Sequence, residues 1–138
     1  MLFRSRDTVT WLKDPANMPG GADVVFTNMY EFTDATADTH SCVSSWFAGY
    51  ANPIPDPAAL TAMVVWANEQ FLKIAVDTRA DMVFLFESFC GHGFHAGDPN
   101  APCYRGPNTP VWFDLTCIHP NPLGHQAIAD MFLAVVNE

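Results

Sequence analysis

The chain has 138 residues, 49% of them hydrophobic and 13% aromatic, a composition that fits one folded domain burying roughly 68% of its unfolded surface and excludes overall disorder. Its 15 acidic and 6 basic residues leave a net charge of -9, which excludes nucleic acid and anionic membrane surfaces as partners, because both need clustered Lys and Arg. No apolar run approaches the ~18 residues of a membrane span, so no membrane span is expected.

Arg4 and Arg6 stand near the start, but no apolar signal core of ~7–15 residues follows them. The chain as written therefore carries no export signal. A cytoplasmic location is the default expectation, with secretion open to a chain that is a fragment. Residues 4–13 read as a short helix stopped by Pro15. Asn17-Met18-Pro19-Gly20-Gly21 reads as a turn. The β-branched and aromatic run from Ala22 to Tyr30 predicts a strand. Residues 31–56 read as one long polar loop, a length that is often functional.

Asp56-Pro57 then opens the clearest helix, with Asp56 as N-cap and proline at the first helical position. Leu60, Met63, Val64, Ala67, Phe71 and Ile74 recur at helical spacing as far as about Thr78. Met82-Val83-Phe84-Leu85-Phe86 is continuously apolar and predicts a strand covered on both faces. A second long loop spans 88–118. Asn121-Pro122 repeats the cap-plus-proline device, and Leu123, Ala127, Ile128, Met131, Phe132 and Val135 give the last helix its apolar side.

The order helix, strand, helix, strand, helix points to an α/β domain with a parallel sheet flanked by helices. Two such strands make a poor sheet, and their open edges invite pairing. A homo-oligomer that completes the sheet between chains is therefore expected.

The run Asp114-Leu115-Thr116-Cys117-Ile118-His119-Pro120-Asn121-Pro122-Leu123-Gly124-His125 carries the most chemistry. It sets a histidine on a short, proline-stiffened loop, with a carboxylate before it and a capped helix after it. That is a way to hold an imidazole as a general base. Asp114, His119, Asn121, Gly124 and His125 together resemble the last signature block of SGNH (GDSL-type) hydrolases, over about residues 112–136. The strand-helix-strand order before it is similar to that family more weakly. The resemblance implies the C-terminal half of an SGNH or flavodoxin-like parallel-sheet domain, a carboxylic ester hydrolase activity, a small-molecule ester substrate and no cofactor. It also implies His119 as general base, with a serine as nucleophile.

The chain departs from the family pattern at two points. The family's aspartate lies three residues before the histidine, where this chain has Thr116. Asp114, five residues before, is then the carboxylate expected to orient the ring. The Gly-Asp-Ser and Gly-x-Asn-Asp blocks are absent, so the chain reads as beginning after them. Asn28 reads as a strand-end residue. Ser88, directly after the second apolar run, is the candidate nucleophile, with Ser41, Ser44 and Ser45 behind it. None sits in a Gly-x-Ser-x-Gly elbow. Glu87 is a candidate site carboxylate.

Other readings stay open. One is a non-catalytic remnant that serves as an assembly module. Another is a zinc-binding protein drawing on Cys90, His92, His95, Cys103, Cys117, His119 and His125, although their spacing matches no standard zinc pattern. A disulfide involving Cys103 is a further expectation, since Cys90 and Cys103 bracket a loop rich in Gly and Pro. Reduced Cys42 and Cys117 would be small buried apolar residues. The loop aromatics Trp46, Phe47, Tyr50, Phe94, Tyr104, Trp112 and Phe113 are expected mostly to fold back as apolar anchors.

Overall fold

A computed structural model of the chain describes residues 2–47 and 55–138, apart from the side chains of residues 2, 3, 45 and 46. Tyr50 and the side chains of Ser45 and Trp46 thus lie outside the described residues.

Helix α1 (Leu2–Lys13) stops at the Asp14-Pro15 turn. There the Asp14 carbonyl accepts from the amides of Asn17 and Met18, each at 2.9 Å. Strand β1 (Val25–Thr27) follows. A single 3-10 turn (Thr39–Ser41) and helix α2 (Val43–Phe47) then give form to what reads in sequence as unbroken loop. Helix α3 (Pro57–Thr78) starts as expected, with the Asp56 carboxylate accepting from the Ala59 amide at 3.0 Å. It ends on Arg79, whose φ of 54° turns the chain left-handed into strand β2 (Asp81–Val83). Helix α4 (Leu85–Phe89) comes next. Helix α5 (Pro122–Val136) closes the chain on the predicted cap.

β1 and β2 pair in parallel, with Val25 opposite Asp81, Phe26 opposite Met82 and Thr27 opposite Val83. The long α3 is the crossover such a pair requires. α1 packs on α3, and both α3 and α5 meet β2. The coarse class is α/β, a two-stranded parallel sheet flanked by helices.

Both strands are shorter than their apolar runs suggest, and one side chain accounts for much of this. Asn28, buried at the end of β1, gives its amide N–H to the Val83 carbonyl, the last rung of the ladder. Its Oδ1 then accepts from the Phe86 amide at 2.9 Å, and its Nδ2 donates to Glu87 at 2.8 Å. Phe84, the N-cap of α4, makes no side-chain cap bond. Asn28 satisfies an orphan amide of that helix from across the sheet. The expected strand Met82–Phe86 therefore turns into helix after Val83, burying Leu85 and Phe89 one turn apart.

The core forms around Val83, Leu85, Phe89 and Phe113, with Val25, Tyr30, Phe32, Phe94, Trp112 and the inner side of α5 packed on it. Phe89 is wholly buried. It stacks on Tyr30 at 4.7 Å between ring centres and meets Trp112 and Phe113 edge-on at 5.1 and 5.5 Å. The aromatics of the 88–118 segment fold inward as expected, except Tyr104, which stays at the surface. Three predicted core positions face water instead, Met63 on α3, Phe84 after β2 and Leu123 on α5, and Phe47, at the end of α2, is exposed rather than folded back. Asn68 takes the inner side of α3, where its amide oxygen accepts from the Met29 N–H at 2.8 Å and its Nδ2 donates to the Met29 carbonyl at 3.1 Å.

The 88–118 segment is ordered by polar anchors rather than by regular structure. Asp34, fully buried, accepts from the amides of Gly91 and Gly93 at 2.8 Å and of His95 at 2.9 Å. Cys90 and Cys103 form the disulfide their loop suggests. Cys42 and Cys117 are buried as expected but joined to each other, across 75 residues of sequence.

Candidate functional site

The histidine loop is built outward from Asn121. Its Oδ1 accepts from the amides of Leu123 and Gly124, both at 3.0 Å, capping α5. Its Nδ2 donates to the carbonyls of Val111 (2.7 Å) and Phe113 (3.2 Å), and its own amide donates to the Trp112 carbonyl at 2.7 Å. One asparagine thus caps the helix and ties it to the incoming strand-like segment. Gly124 is needed at this junction, because a Cβ there would meet the Trp112 carbonyl oxygen and Pro120. Phe113 and Pro120 form an antiparallel bridge, and the Asp114 amide donates to the His119 carbonyl at 2.9 Å. Residues 114–119 are therefore a closed loop with pinned ends.

Within this loop Thr116 lies between Asp114 and His119. Its amide donates to Asp114 Oδ1 at 2.7 Å, and its hydroxyl to the same oxygen at 2.5 Å. The same hydroxyl oxygen lies 2.7 Å from His119 Nδ1 and accepts from the His119 amide at 3.3 Å. A threonine hydroxyl has one proton to give. Here the carboxylate takes it, so Nδ1 must carry a proton and donate to the threonine oxygen. Nε2 is then the acceptor of the exposed His119 ring, and it makes no hydrogen bond among the described residues.

The Asp114 carboxyl is held below its ordinary value of 3.8. The Thr116 hydroxyl is the main cause and the Thr116 amide the second, with the nearby His119 and His125 adding to it against a small opposing effect of desolvation. The carboxylate is thus held in its charged form one hydroxyl away from the ring.

Among the described residues, three anchors reach this loop from outside. The Tyr30 hydroxyl donates to the Ile118 carbonyl at 3.2 Å. The Ser44 hydroxyl donates to the Leu115 carbonyl. Cys42, just before α2, is bonded to Cys117.

Of the residues singled out in sequence, the loop brings Asp114 and His119 together, but through Thr116 rather than directly. Ser88 sits on α4, half-buried, and not at a strand end. Among the described residues it makes no hydrogen bond to His119. Ser44 is the serine whose segment is joined to the loop, while Ser41 donates to the Asp38 carbonyl at 2.7 Å. Glu87 is engaged with Asn28. His125 is an exposed residue of α5.

The residues of the zinc reading are otherwise committed. All four thiols are in disulfides. His92 lies flat on Trp112 at 3.5 Å, with Nδ1 2.8 Å from the Pro110 carbonyl. His95 pairs with Asp38 at 3.1 Å. Among the described residues no three His, Cys, Asp or Glu side chains gather to hold a metal.

An apolar cleft of about 130 Å³ lies between Phe32, Ala35, Ala37, Leu60, Val64 and Phe86, and the 114–119 loop forms none of its wall. Among the described residues no helix is long and apolar enough to cross a membrane.

Thr116 is the functional candidate that sequence reasoning passed over. The signal for it was its position, three residues before the histidine, where the resembled family keeps its aspartate. No family model matches the chain, nor does any curated protein or solved structure.

Proposed function

We propose that this chain carries the acid–base unit of an SGNH-type hydrolase acting on carboxylic esters, with His119 as general base and Asp114 acting on it through Thr116. The observation that carries the reading is the Thr116 hydroxyl between carboxylate and imidazole, which leaves Nε2 free to accept a proton. In the reaction Nε2 takes the proton of an attacking hydroxyl as that oxygen adds to the ester carbonyl. The imidazolium, stabilised by the threonine oxygen and the carboxylate behind it, then returns the proton to the departing alkoxide. The attacking hydroxyl belongs to a serine. Ser88 is the candidate on α4, and Ser44 the one bonded into the histidine loop.

The test is turnover of short p-nitrophenyl esters together with labelling by a fluorophosphonate probe, the labelled serine being located by mass spectrometry. His119→Ala is expected to lower turnover by about 10²–10⁴-fold. Full activity in that variant refutes the reading.

A second reading, a non-catalytic assembly module, draws support from the sheet, which has two short strands and no further strand on either edge among the described residues. It predicts a dimer or higher oligomer in sedimentation and no serine labelled by the probe.

A further inference from the structure

The histidine loop stands out from the body of the protein. Leu115 is 84% exposed and Ile118 61%, and Thr116 and His119 are exposed as well. Cys117 is the exception at 1% exposure, and it lies between the two residues whose contact sets the imidazole tautomer. Its backbone has a φ of +72°, a conformation rare for residues other than glycine. A surrounding constraint has to hold such a residue in place.

Two of the three outside anchors are hydrogen bonds to backbone carbonyls, from Tyr30 and Ser44, and water competes for both on an exposed loop. The third is covalent. Cys42 and Cys117 stand 6.0 Å apart at Cα, within the span a disulfide bridges. Water cannot replace a covalent link as it can either hydrogen bond, so this anchor holds residue 117 as long as the sulfur–sulfur bond is closed.

We propose that the Cys42–Cys117 disulfide is the positioning element of the His119 loop, so that the Asp114–Thr116–His119 relay is assembled only when this bond is closed. The proposal rests on the reading of His119 as a base for its consequence in activity, but not for its structural content. A small thiol at two equivalents opens the bond. The sulfur–sulfur bond breaks, each cysteine sulfur takes up a proton, and the two thiols leave joined as their own disulfide. Residue 117 is then free to leave its left-handed conformation, which swings Thr116 away from Nδ1. Both sulfur-bearing residues are buried, at 3% and 1% exposure, so the bond acts as a lock rather than a rapid sensor. The half-buried Cys90–Cys103 pair, tied to the end of α4 and to no residue of the histidine loop, opens first under mild reduction.

The experiment uses full-length protein with ¹⁵N-labelled histidine rings, His119 being assigned by its absence in His119→Gln. The intact protein is expected to show the Nδ1-protonated tautomer at His119. In Cys42→Ser/Cys117→Ser that signature collapses into an average of both tautomers, and ester turnover falls at least tenfold. Cys90→Ser/Cys103→Ser leaves both readouts unchanged. A fixed Nδ1-protonated tautomer in Cys42→Ser/Cys117→Ser overturns the proposal. So does loss of near-ultraviolet dichroism across the whole molecule, since the bond would then serve the fold and not the loop. If the intact protein turns over no ester but its tautomer still follows the Cys42–Cys117 bond, the hydrolase reading fails and the positioning role stands.

Discussion

Replacing Thr116 with valine isolates the relay, because valine keeps the β-branched shape and removes only the hydroxyl. That hydroxyl donates to Asp114 and accepts from His119 at both Nδ1 and the amide. The site is exposed, so its neighbours recover water, and the loss of stability stays near 1 kcal/mol. On the proposed function, the effect on catalysis is larger. In the transition state the Nδ1 bond is charge-assisted, and such bonds contribute about 1.5–3 kcal/mol. At about 1.4 kcal/mol per decade, this is roughly a 10–100-fold loss in kcat. KM should hold, because the bond strengthens only as the ring takes up its proton. Thr116→Ser, which restores the hydroxyl, should recover most of the rate. The assay is steady-state hydrolysis of p-nitrophenyl acetate alongside thermal melting of each variant. Wild-type kcat in Thr116→Val, with the serine variant no different, would show that the hydroxyl orients nothing.

Three further outcomes concern the frame behind the loop. Phe89→Ala removes a fully buried ring at the centre of the aromatic cluster and should cost about 3–5 kcal/mol in urea unfolding. Asp34→Asn keeps an oxygen for Gly91 and Gly93 but turns an NH₂ toward the His95 amide, donor against donor. A loss of about 1–3 kcal/mol should follow in the same assay. His92 has its pKa lowered from 6.5, chiefly by burial and also by Arg105, against the Pro110 carbonyl and Asp34, which raise it. The folded state thus binds the proton less readily than the unfolded chain, so stability is fully present above pH 6.5 and falls as the pH drops from 6.5 to the depressed folded value. His92→Gln should flatten that part of the stability profile, and an unchanged slope would assign it to other groups.

The helices were legible in sequence because their signals are local. Asp56-Pro57 and Asn121-Pro122 are caps written into adjacent residues, and both helices begin there. The strands were not, because their lengths are set at a distance. Val24 and Phe84 are as suited to a strand as their neighbours. The ladder ends where the Asn28 side chain, 58 residues from Phe86 in sequence, takes over the pairing and starts a helix. The Cys90–Cys103 disulfide was legible in its loop, but composition could not show that the 31–56 and 88–118 segments would also be held by a single buried carboxylate and by the Cys42–Cys117 disulfide. Nor does helical periodicity alone select the buried side of α3. Met63 fits the apolar stripe as well as Val64, yet Asn68 goes inward because the Met29 backbone needs a partner there.

The candidate site was legible in its residues but not in its wiring. Asp114 stands five residues before His119, two more than the aspartate of the resembled family, and was expected to orient the ring itself. Instead, the intervening threonine spans the gap. Asp114 turns back on the Thr116 amide, which brings the carboxylate against the hydroxyl two residues on, and the Cys117 bend returns the chain so that the same hydroxyl meets the ring. A hydroxyl in that place does one thing an aspartate cannot. It passes on the pull of a carboxylate while keeping that charge one hydrogen bond further from the imidazole. The carboxylate thus acts on the ring from one hydrogen bond further away, and Coulomb energy falls with distance. Substituting Thr116→Asp, with Asp114→Ser to avoid two adjacent carboxylates, should therefore give at least the wild-type kcat on p-nitrophenyl acetate. A kcat as low as that of Thr116→Val would mean that a carboxylate at this place does not act on the histidine.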